Sequence, residues 1–475
     1  MIENHVKHTH DLIVIGAGPA GLSAALTAAA EGLRVLLLDE QARPGGQIYR
    51  HITAVSPDHA ARLGPDYQHG ATLTERLTAS EIETRYGALV WTVDRDLTVT
   101  VQQAGRSFQV RAPQLIAATG AMERPSPLHG WTLPGVMNAG AAQILLKTAG
   151  SVPSGIVVLV GGGPLLLLVA CQLLDAGAPV AAVVETSPPG NRWYALRHLA
   201  GALQAPSYLL KGLGLLWRLK KAGVPMFTGA TDVRIDGQER VSAVAFKAGG
   251  KKHRIASDTV LLHHGVVPNT QLSRFMRVEH RWDEHQLAWH PVVDDGYQTS
   301  LPGFRIPGDG AAIAGALAAE ASGALAAIAA MHALVHIDSA KANALSAPWR
   351  MQRQRHERIR PFLDALYRPP AWLSAPSDDT VVCRCEEVTA GRIREMAHLG
   401  CQGPNQTKFF SRCGMGPCQG RQCGITVSQI LATTLDRPMQ DIGSYRIRAP
   451  LKPIPLASVA ALADVPEPIE KDDVA

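Results

Sequence analysis

Cysteine is scarce in most of the chain, because Cys171 is the only cysteine among the first 380 residues. A closely spaced, redox-active cysteine pair is therefore excluded from that part of the protein. Aromatic residues make up 5% of the composition, and the formal net charge is only +5. No basic run is interleaved with aromatic side chains, so the sequence does not indicate nucleic-acid binding. The first ten residues contain no apolar core, which argues against a secretory signal.

The chain also lacks a convincing membrane-spanning run. Its longest apolar stretch, residues 156–171, contains three consecutive glycines, which predicts a strand, a turn and a helix instead. A content of 46% hydrophobic and 18% charged residues is typical of globular proteins, and 475 residues suggest about three domains. We therefore expect a cytoplasmic protein, and peripheral attachment at the inner membrane face stays open.

Two segments, residues 11–40 and 156–185, share one design. Each has an aliphatic run, a glycine turn, an Ala/Leu-rich stretch, a glycine and a second aliphatic run that ends in an acid. This order predicts a β-α-β unit, which requires a parallel sheet. The expected fold class is α/β with two Rossmann-like dinucleotide-binding domains.

The first unit carries a G-x-G-x-x-G pattern between a predicted strand and a predicted helix. Glycines at these positions allow a tight turn, the approach of a pyrophosphate and close helix–strand packing, and the helix N-terminus attracts negative charge. An acid at the end of the second strand can bind ribose hydroxyls. The residues expected to contact the cofactor here are Gly16, Gly18, Pro19, Ala20, Gly21, Asp39 and Glu40.

Three later segments resemble conserved motifs of glutathione-reductase-like flavoproteins, which have two dinucleotide-binding domains. They contain Gly46 and Gln47, then Thr119 and Gly120, then Gly308 and Asp309. Their order and spacing favour FAD over NAD as the ligand of the first unit. The resemblance implies a discontinuous FAD-binding domain, formed by residues 1–150 and 269–340.

The second unit departs from the pattern, since Leu166 occupies the third glycine position after Gly161 and Gly163. A leucine there is expected to push the helix away from the strand or to crowd a pyrophosphate. Glu185 remains available to a ribose, and the backbone donors of the turn remain too. Residues 151–268 are therefore predicted to form a degenerate NAD(P)-type domain, with NAD(P) an unlikely cofactor, although binding of some nucleotide stays open.

Six cysteines crowd between residues 383 and 423, a pattern that indicates metal binding in a reducing compartment. Cys383 and Cys385 form C-x-C, and Cys418 and Cys423 form C-x4-C. Four thiolates suit a [2Fe–2S] cluster, and structural zinc is the alternative. Cys401 and Cys413 are left over and are predicted to be small buried residues. We expect a linker at 341–378, a cluster-binding domain at 379–445 and a mobile tail at 446–475.

The chain resembles the alpha subunits of heteromeric amine and amino-acid dehydrogenases. This group includes the A subunit of opine oxidase, the B subunit of hydrogen cyanide synthase and the alpha subunit of D-hydroxyproline dehydrogenase. The resemblance extends over nearly the whole chain and includes a C-terminal part that is similar to bacterioferritin-associated ferredoxin. The segments that carry it are residues 44–50, 118–125, 130–136, 163–168 and 414–421.

This resemblance implies an FAD- and [2Fe–2S]-containing electron-transfer subunit. Its partner would be a beta subunit of the D-amino-acid-oxidase type, where the family's amine oxidation is generally placed, to which a small ferredoxin-like gamma subunit can be added. The acceptor would be a quinone or another electron carrier. A self-contained NAD(P)H-dependent flavin reductase is the alternative. The sequence nominates no catalytic acid or base, and His263 and His264 are expected to be packing residues.

Overall fold

The computed structural model describes residues 9–462. Its first sheet has five parallel strands, and the glycine turn of the first unit follows the central one. The three inner strands are mainly aliphatic and almost completely buried, as expected for a parallel sheet covered on both faces. The strands, in spatial order, are Phe304–Arg305, Gln114–Ala117, Leu12–Ile15, Val35–Asp39 and Glu83–Tyr86.

A second five-stranded parallel sheet contains the second unit. One edge strand comes from residues that the sequence assigned to the first domain, because Val136–Asn138 pairs with residues 260–262. The helix that follows, Ala139–Ala149, packs on this second domain as well. The boundary between the two domains therefore lies before residue 136, not at residue 150. The sequence did not indicate this because a strand of three residues is too short to give a recognisable pattern. The strands, in spatial order, are Met226–Phe227, Val180–Glu185, Val157–Gly162, Thr259–His264 and Val136–Asn138.

Antiparallel strands complete both domains. The Ala121–Glu123 and Val266–Pro268 strands pair with each other at the crossing between the two domains. The remaining strands form two three-stranded sheets and two hairpins: Leu89–Val93, Thr98–Gln103 and Arg106–Arg111; Thr231–Gly237, Val241–Ala248 and Lys251–Ala256; His280–Asp283 with Ala288–Pro291; and Val381–Cys383 with Val388–Thr389.

Small residues let the helices of the first domain pack closely. A Cβ on Gly323 would lie 2.0 Å from the carbonyl oxygen of Ala20, so the Ala316–Ala333 and Pro19–Ala30 helices touch backbone to backbone. By length and composition Ala316–Ala333 is apolar enough to cross a membrane, but 72% of it is buried inside the protein. The helices of both nucleotide-type domains are Pro19–Ala30, Pro57–Leu63, Pro65–Thr78, Ala139–Ala149, Pro164–Asp175, Asn191–Leu196, Leu199–Leu203, Pro206–Lys221, Gln271–Phe275 and Ala316–Ala333.

The segment expected to be a linker is largely helical. Ser339–Glu357 packs against Ala316–Ala333, and Arg360–Leu366 packs against Asn191–Leu196 of the second domain. The cysteine-rich part has its own buried core. Its helices, with the short one that follows, are Ala390–His398, Pro404–Ser411, Gly424–Leu435, Met439–Ile442 and Leu456–Ala460.

The described part of the expected mobile tail is docked on the first domain. The Leu451 side chain is buried in the core of that domain, and its backbone N–H donates to the carbonyl of Trp91 at 2.7 Å. Lys452 forms an ion pair with Glu40. The proline- and alanine-rich composition suggested mobility, but an apolar side chain and a charge complement were enough to fix residues up to 462. Residues 463–475 lie outside the described range.

Candidate functional site

A cavity of about 770 Å³ opens at the carboxyl ends of the first-sheet strands. Ligands of open α/β sheets bind at this edge. The cavity wall includes every cofactor-contacting residue that the sequence predicts except two glycines that serve packing, Gly21 and Gly308. The predicted residues that line it are Gly16, Gly18, Pro19, Ala20, Asp39, Glu40, Gly46, Gln47, Thr119, Gly120 and Asp309.

The three glycines of the first turn have different surroundings. Gly16 has φ +103°, and a Cβ there would lie 2.5 Å from the carbonyl oxygen of Ala118. A Cβ on Gly21 would lie 1.7 Å from the carbonyl oxygen of Gly16. At Gly18 the nearest atom would be the Cα of Gly46, at 3.8 Å. Gly16 and Gly21 are therefore required by the fold itself, whereas Gly18 leaves space that faces the cavity.

The Asp39 carboxylate connects the strand end to the glycine turn. One of its oxygens accepts from the backbone N–H of Ala17 at 2.6 Å and the other from that of Gln41 at 2.7 Å. Burial raises the pKa of Asp39 above its ordinary value, and these two backbone donors partly oppose the shift. Each carboxylate oxygen can accept a second hydrogen bond, so Asp39 can hold the turn and still receive a ribose hydroxyl.

Lys147, which no sequence motif singled out, fixes the loop that contains Gly46 and Gln47. The Nζ of Lys147 donates to the carbonyl oxygens of Gln47 at 3.2 Å and Ile48 at 2.9 Å. Burial lowers the pKa of Lys147 to about 7. No local pattern marks a lysine inside an amphipathic helix as buried, so only the tertiary structure reveals this contact.

The segments that contain Gly120 and Asp309 also form part of the cavity wall. The backbone N–H of Asn269 donates to the carbonyl of Gly120 at 2.9 Å, which joins the crossing segment to the end of the Gln114–Ala117 strand. One oxygen of Asp309 accepts from the backbone N–H groups of Ala314 at 2.8 Å and Gly315 at 3.0 Å. Asp309 therefore orders the segment that leads into the Ala316–Ala333 helix, and its remaining acceptor capacity faces the cavity.

These surroundings fit a dinucleotide. The glycine turn has no room for a side chain at Gly16 or Gly21, the Pro19–Ala30 helix begins at the cavity wall, and its N-terminal N–H groups suit a pyrophosphate. Arg50 lines the cavity, and its buried Nε has no hydrogen-bond partner among residues 9–462. Such an orphaned donor is costly unless a ligand or water pairs with it. The residues that would hold FAD are the cavity-lining members of the predicted set, with Arg50 added.

The second glycine turn has a different geometry. Gly163, at the helix start, has φ +108°, whereas the equivalent Gly18 has φ −80°. Leu166 is 1% exposed and packs into the core of the second domain with Val169. The expected crowding of a pyrophosphate by this leucine is thus not what the structure shows. The side chain turns inward, and the turn changes its backbone conformation to accommodate it.

The segment that follows the Arg360–Leu366 helix covers this second turn. A Cβ on Gly162 would lie 2.6 Å from Oγ of Ser187 and 3.8 Å from a ring carbon of Tyr367. The Tyr367 segment is fixed by Asn191, whose Nδ2 donates to the carbonyls of Leu366 at 3.3 Å and Arg368 at 3.0 Å. Ser187 and Tyr367 therefore lie close to the strand end where a nucleotide would bind and narrow the space above it.

The cavity continues from the first turn to the second, and a hydrogen-bonded pair of His263 and Glu123 lies between them. Nδ1 of His263 is 2.7 Å from an oxygen of Glu123, whose other oxygen accepts from the backbone N–H of Gly140 at 2.9 Å. His264 is fully buried, and burial lowers its pKa to about 3. His264 is thus neutral, and it lines the cavity together with His263.

The cysteine-rich part brings five thiols into two sets. The sulfur atoms of Cys383, Cys413 and Cys423 lie within 4.8 Å of one another and are buried. The sulfur atoms of Cys385 and Cys418 are 3.9 Å apart. Hydrogen bonds from the other two thiols of the first set hold the pKa of Cys383 well below its ordinary value. The four predicted ligands are present in these sets, and Cys413 joins them as a fifth candidate.

The surroundings of the thiols suit a metal centre that is buried on one side, since Cys385 is exposed and Cys418 is half-buried. A Cβ on Gly416 would lie 2.3 Å from the Cβ of Cys385, so glycine lets the Cys413–Cys418 loop close over the C-x-C segment. Cys401 is buried but is not part of either thiol set. The donor set, thiolates alone, fits both an iron–sulfur cluster and zinc. The residues that would hold the metal are four of the five grouped cysteines.

The cysteine-rich part forms a wall of the large cavity. Gln271 and Arg421 both line the cavity, and Nε2 of Gln271 donates to the carbonyl of Cys418 at 3.0 Å. Arg421 lies in the sequence between Cys418 and Cys423. The cysteine-rich part therefore contacts the wall of the candidate flavin site through Gln271 and contributes Arg421 to it.

Comparison with known proteins agrees with this architecture. The pyridine nucleotide-disulphide oxidoreductase family model matches residues 10–333, and the sarcosine oxidase A3 domain model matches residues 378–463. The A subunit of opine oxidase from Agrobacterium tumefaciens is 46% identical over 95% of this chain and 92% of its own length. The chain belongs to the family of opine oxidase A subunits. Hydrogen cyanide synthase subunit HcnB of Pseudomonas aeruginosa is a more distant relative, 32% identical over 94% of this chain and 97% of its own length.

Membership of this family makes the chain an FAD-dependent oxidoreductase, since the matching pyridine nucleotide-disulphide oxidoreductase model implies a flavin. A solved structure shares the fold over almost the whole chain. The L-proline dehydrogenase from P. horikoshii superposes with a TM-score of 0.67 at 17% identity, covering 94% of this chain and 78% of its own. The resemblance to this family that the sequence motifs indicated is confirmed.

Proposed function

We propose that the chain is the FAD- and [2Fe–2S]-containing electron-transfer subunit of a heteromeric dehydrogenase or oxidase. The substrate class is an amino-acid-type amine, namely an opine, hydroxyproline or proline, or glycine. Support comes from relatives whose names specify opine oxidase and hydrogen cyanide synthase subunits and from a structural neighbour that is an L-proline dehydrogenase.

One observation carries the electron-transfer role. The flavin cavity and the thiol group share a wall, in which Gln271 lines the cavity and bonds the backbone of Cys418. When bound, FAD supplies two-electron acceptance and a [2Fe–2S] cluster supplies one-electron release. The chain's own residues hold the two sites in contact through Gln271, and three of the grouped cysteines, Cys383, Cys413 and Cys423, are buried.

The proposed partners follow from the family. A beta subunit of the D-amino-acid-oxidase type would oxidise the amine, and a small ferredoxin-like gamma subunit can join the complex. A quinone or another carrier would receive the electrons. We place the complex in the cytoplasm; peripheral attachment at the inner membrane face stays open to the vesicle experiment below.

The cofactor content tests the first part of the proposal. Protein purified without oxygen should carry about one FAD and two irons per chain. Single Cys→Ser changes at the five grouped positions should lower the iron content at four of them and leave it at one, which identifies the bystander. Stoichiometric zinc without iron in the wild type would refute the cluster.

The electron route is tested in the co-expressed complex. Cys418→Ser should leave flavin bleaching by the amine substrate largely intact and should slow the reduction of a one-electron acceptor. Cys401→Ser is the matched control, because Cys401 is equally a buried cysteine of this part but lies outside the thiol sets. Equal acceptor rates in the two variants would mean that the thiol group is not on the route.

The alternative, a self-contained reductase, predicts rapid flavin bleaching by NADPH in the isolated chain. The Tyr367 segment over the second turn argues against it, and we expect only slow bleaching. Bleaching on the order of 10 s⁻¹, a typical enzymatic rate, would favour the reductase instead.

A further inference from the structure

The Pro206–Lys221 helix has apolar residues on both of its faces. Its inner face is buried through Leu215 and Leu219, which pack into the core of the second domain. Its outer face carries Leu210, Leu213 and Trp217, which are 68%, 63% and 61% exposed. A surface helix ordinarily places polar residues opposite the core, so this outer face, here called the outer stripe, is not explained by the fold.

The outer stripe is continuous along the helix. Leu210, Leu213 and Trp217 follow the i, i+3, i+7 spacing that places side chains on one face. Lys220 and Lys221 stand at its C-terminal end and are exposed. The Nζ of Lys221 lies 5.1 Å from the centre of the Trp217 ring. The stripe therefore ends in an aromatic ring beside two cations.

The segment of the chain that carries the stripe has charges of one sign. The sequence contains no Asp or Glu between Glu185 and Asp232, but this stretch has six Lys and Arg residues. Lys211 and Arg218, on the flanks of the helix, pair with acids from other elements, Asp66 and Asp175. Lys220 and Lys221 form no ion pair within residues 9–462. Their charge is left for an external partner.

We propose that the outer stripe docks the protein onto the surface of an anionic lipid bilayer. Leucine and tryptophan side chains enter the boundary between headgroups and acyl chains, and lysines at the edge attract anionic headgroups. A protein partner would fit the stripe less well, because lysine is depleted in protein–protein interfaces. The proposal depends on neither cofactor, and docking would bring the proposed electron-transfer subunit to a membrane-dissolved acceptor.

Vesicle flotation of the full-length flavoprotein tests the proposal. The wild type should float with vesicles of phosphatidylcholine and phosphatidylglycerol, and float less with phosphatidylcholine alone or at high salt. The variant Leu210→Gln/Leu213→Gln/Trp217→Gln should bind at least about tenfold more weakly. Lys220→Gln/Lys221→Gln should retain weak binding but lose its preference for anionic lipid. These positions are exposed, so flavin content and melting temperature should not change.

A control variant separates the stripe from general surface apolarity. Val335→Gln/Leu399→Gln removes two side chains that are 89% and 73% exposed outside this helix, and it should float like the wild type. Absence of flotation by folded wild-type protein overturns the proposal, as does equal flotation of the triple variant. Loss of the beta subunit or of self-association in the triple variant, without a change in flotation, would identify the stripe as a protein interface. Flotation of the isolated chain without flotation of the complex would also identify the stripe as a protein interface.

Discussion

The two glycine turns of this chain differ in what keeps them in shape. In the first turn, Gly21 lets the helix touch the turn, and Asp39 ties the turn to the neighbouring strand through the N–H of Ala17. In the second, Leu166 fills a core position, and an oxygen of Glu185 accepts from the nearby N–H of Ser187, at 3.1 Å, not from the turn. The first turn is built around a ligand, whereas the second is built around its own hydrophobic core.

The two units also differ in what covers them. The first opens into the large cavity, where Lys452 and Glu40 form an ion pair in the wall. The second is covered by the Tyr367 segment. The same supersecondary unit can therefore serve as a cofactor site or as a packing module, depending on one residue of the turn and on what the rest of the chain places over it.

The largest effect should come from giving the first turn the leucine of the second. Gly21→Leu places a Cβ where only 1.7 Å separates it from the carbonyl oxygen of Gly16, so the helix must move and FAD should be lost. The yield of soluble protein should fall as well. Gly214→Ala is the control, since a Cβ there meets nothing within 4 Å. Flavin content, read from the absorbance spectrum, decides; a fully loaded Gly21→Leu protein would contradict the account.

The second-largest effect should be a loss of FAD binding in a protein that still folds. Gly18→Val adds a side chain where the protein leaves space, so the apoprotein should fold while the pyrophosphate is excluded. FAD should be absent, and the melting temperature should drop towards that of apoprotein, because a ligand that binds only the folded state stabilises it. Adding FAD should raise the melting temperature of the wild-type apoprotein only. A variant that retains stoichiometric FAD would remove Gly18 from the site.

A smaller effect is expected in the second unit. Leu166→Ala leaves a cavity in the core and should lower the free energy of unfolding by about 2–5 kcal/mol, measured by chemical denaturation. The flavin content should not change, in contrast to both glycine variants. If Leu166→Ala instead released FAD without loss of stability, the second turn would have to contribute to the cofactor site.

The smallest effect is expected when the acids at the two strand ends, Asp39 and Glu185, are each replaced by their amides. In Asp39→Asn, the amide N–H₂ faces one of the two backbone N–H groups that the carboxylate accepts from, so one hydrogen bond to the turn is lost. FAD should therefore bind about tenfold more weakly, equivalent to about 1.4 kcal/mol. Glu185→Gln should leave the dissociation constant unchanged. Titration of apoprotein with FAD, followed by flavin fluorescence, measures both. Equal weakening in the two variants would show that the acids act through general stability.

Local sequence predicted the elements that are defined by short patterns. The strand–glycine–helix order located both units, and the C-x-C and C-x4-C spacings located the thiol group, because strand and turn geometry act over a few residues. Contacts between distant segments were not predictable. Lys147 under the Gln47 loop and Cys413 beside Cys383 have no local signature, and Val136–Asn138 joins the second sheet only through pairing with a strand more than a hundred residues later.

The sequence by itself determined the family, the α/β class and the glycine and cysteine positions, since backbone conformations that need glycine and thiol clusters that need cysteine restrict the residue type directly. The tertiary structure decided which way Leu166 points, that residues 446–462 dock on the first domain, and that Tyr367 covers the second turn. It also decided that the flavin cavity and the thiol group share a wall. These outcomes depend on packing between segments far apart in the chain, where burial and hydrogen bonding, not residue type, select the arrangement.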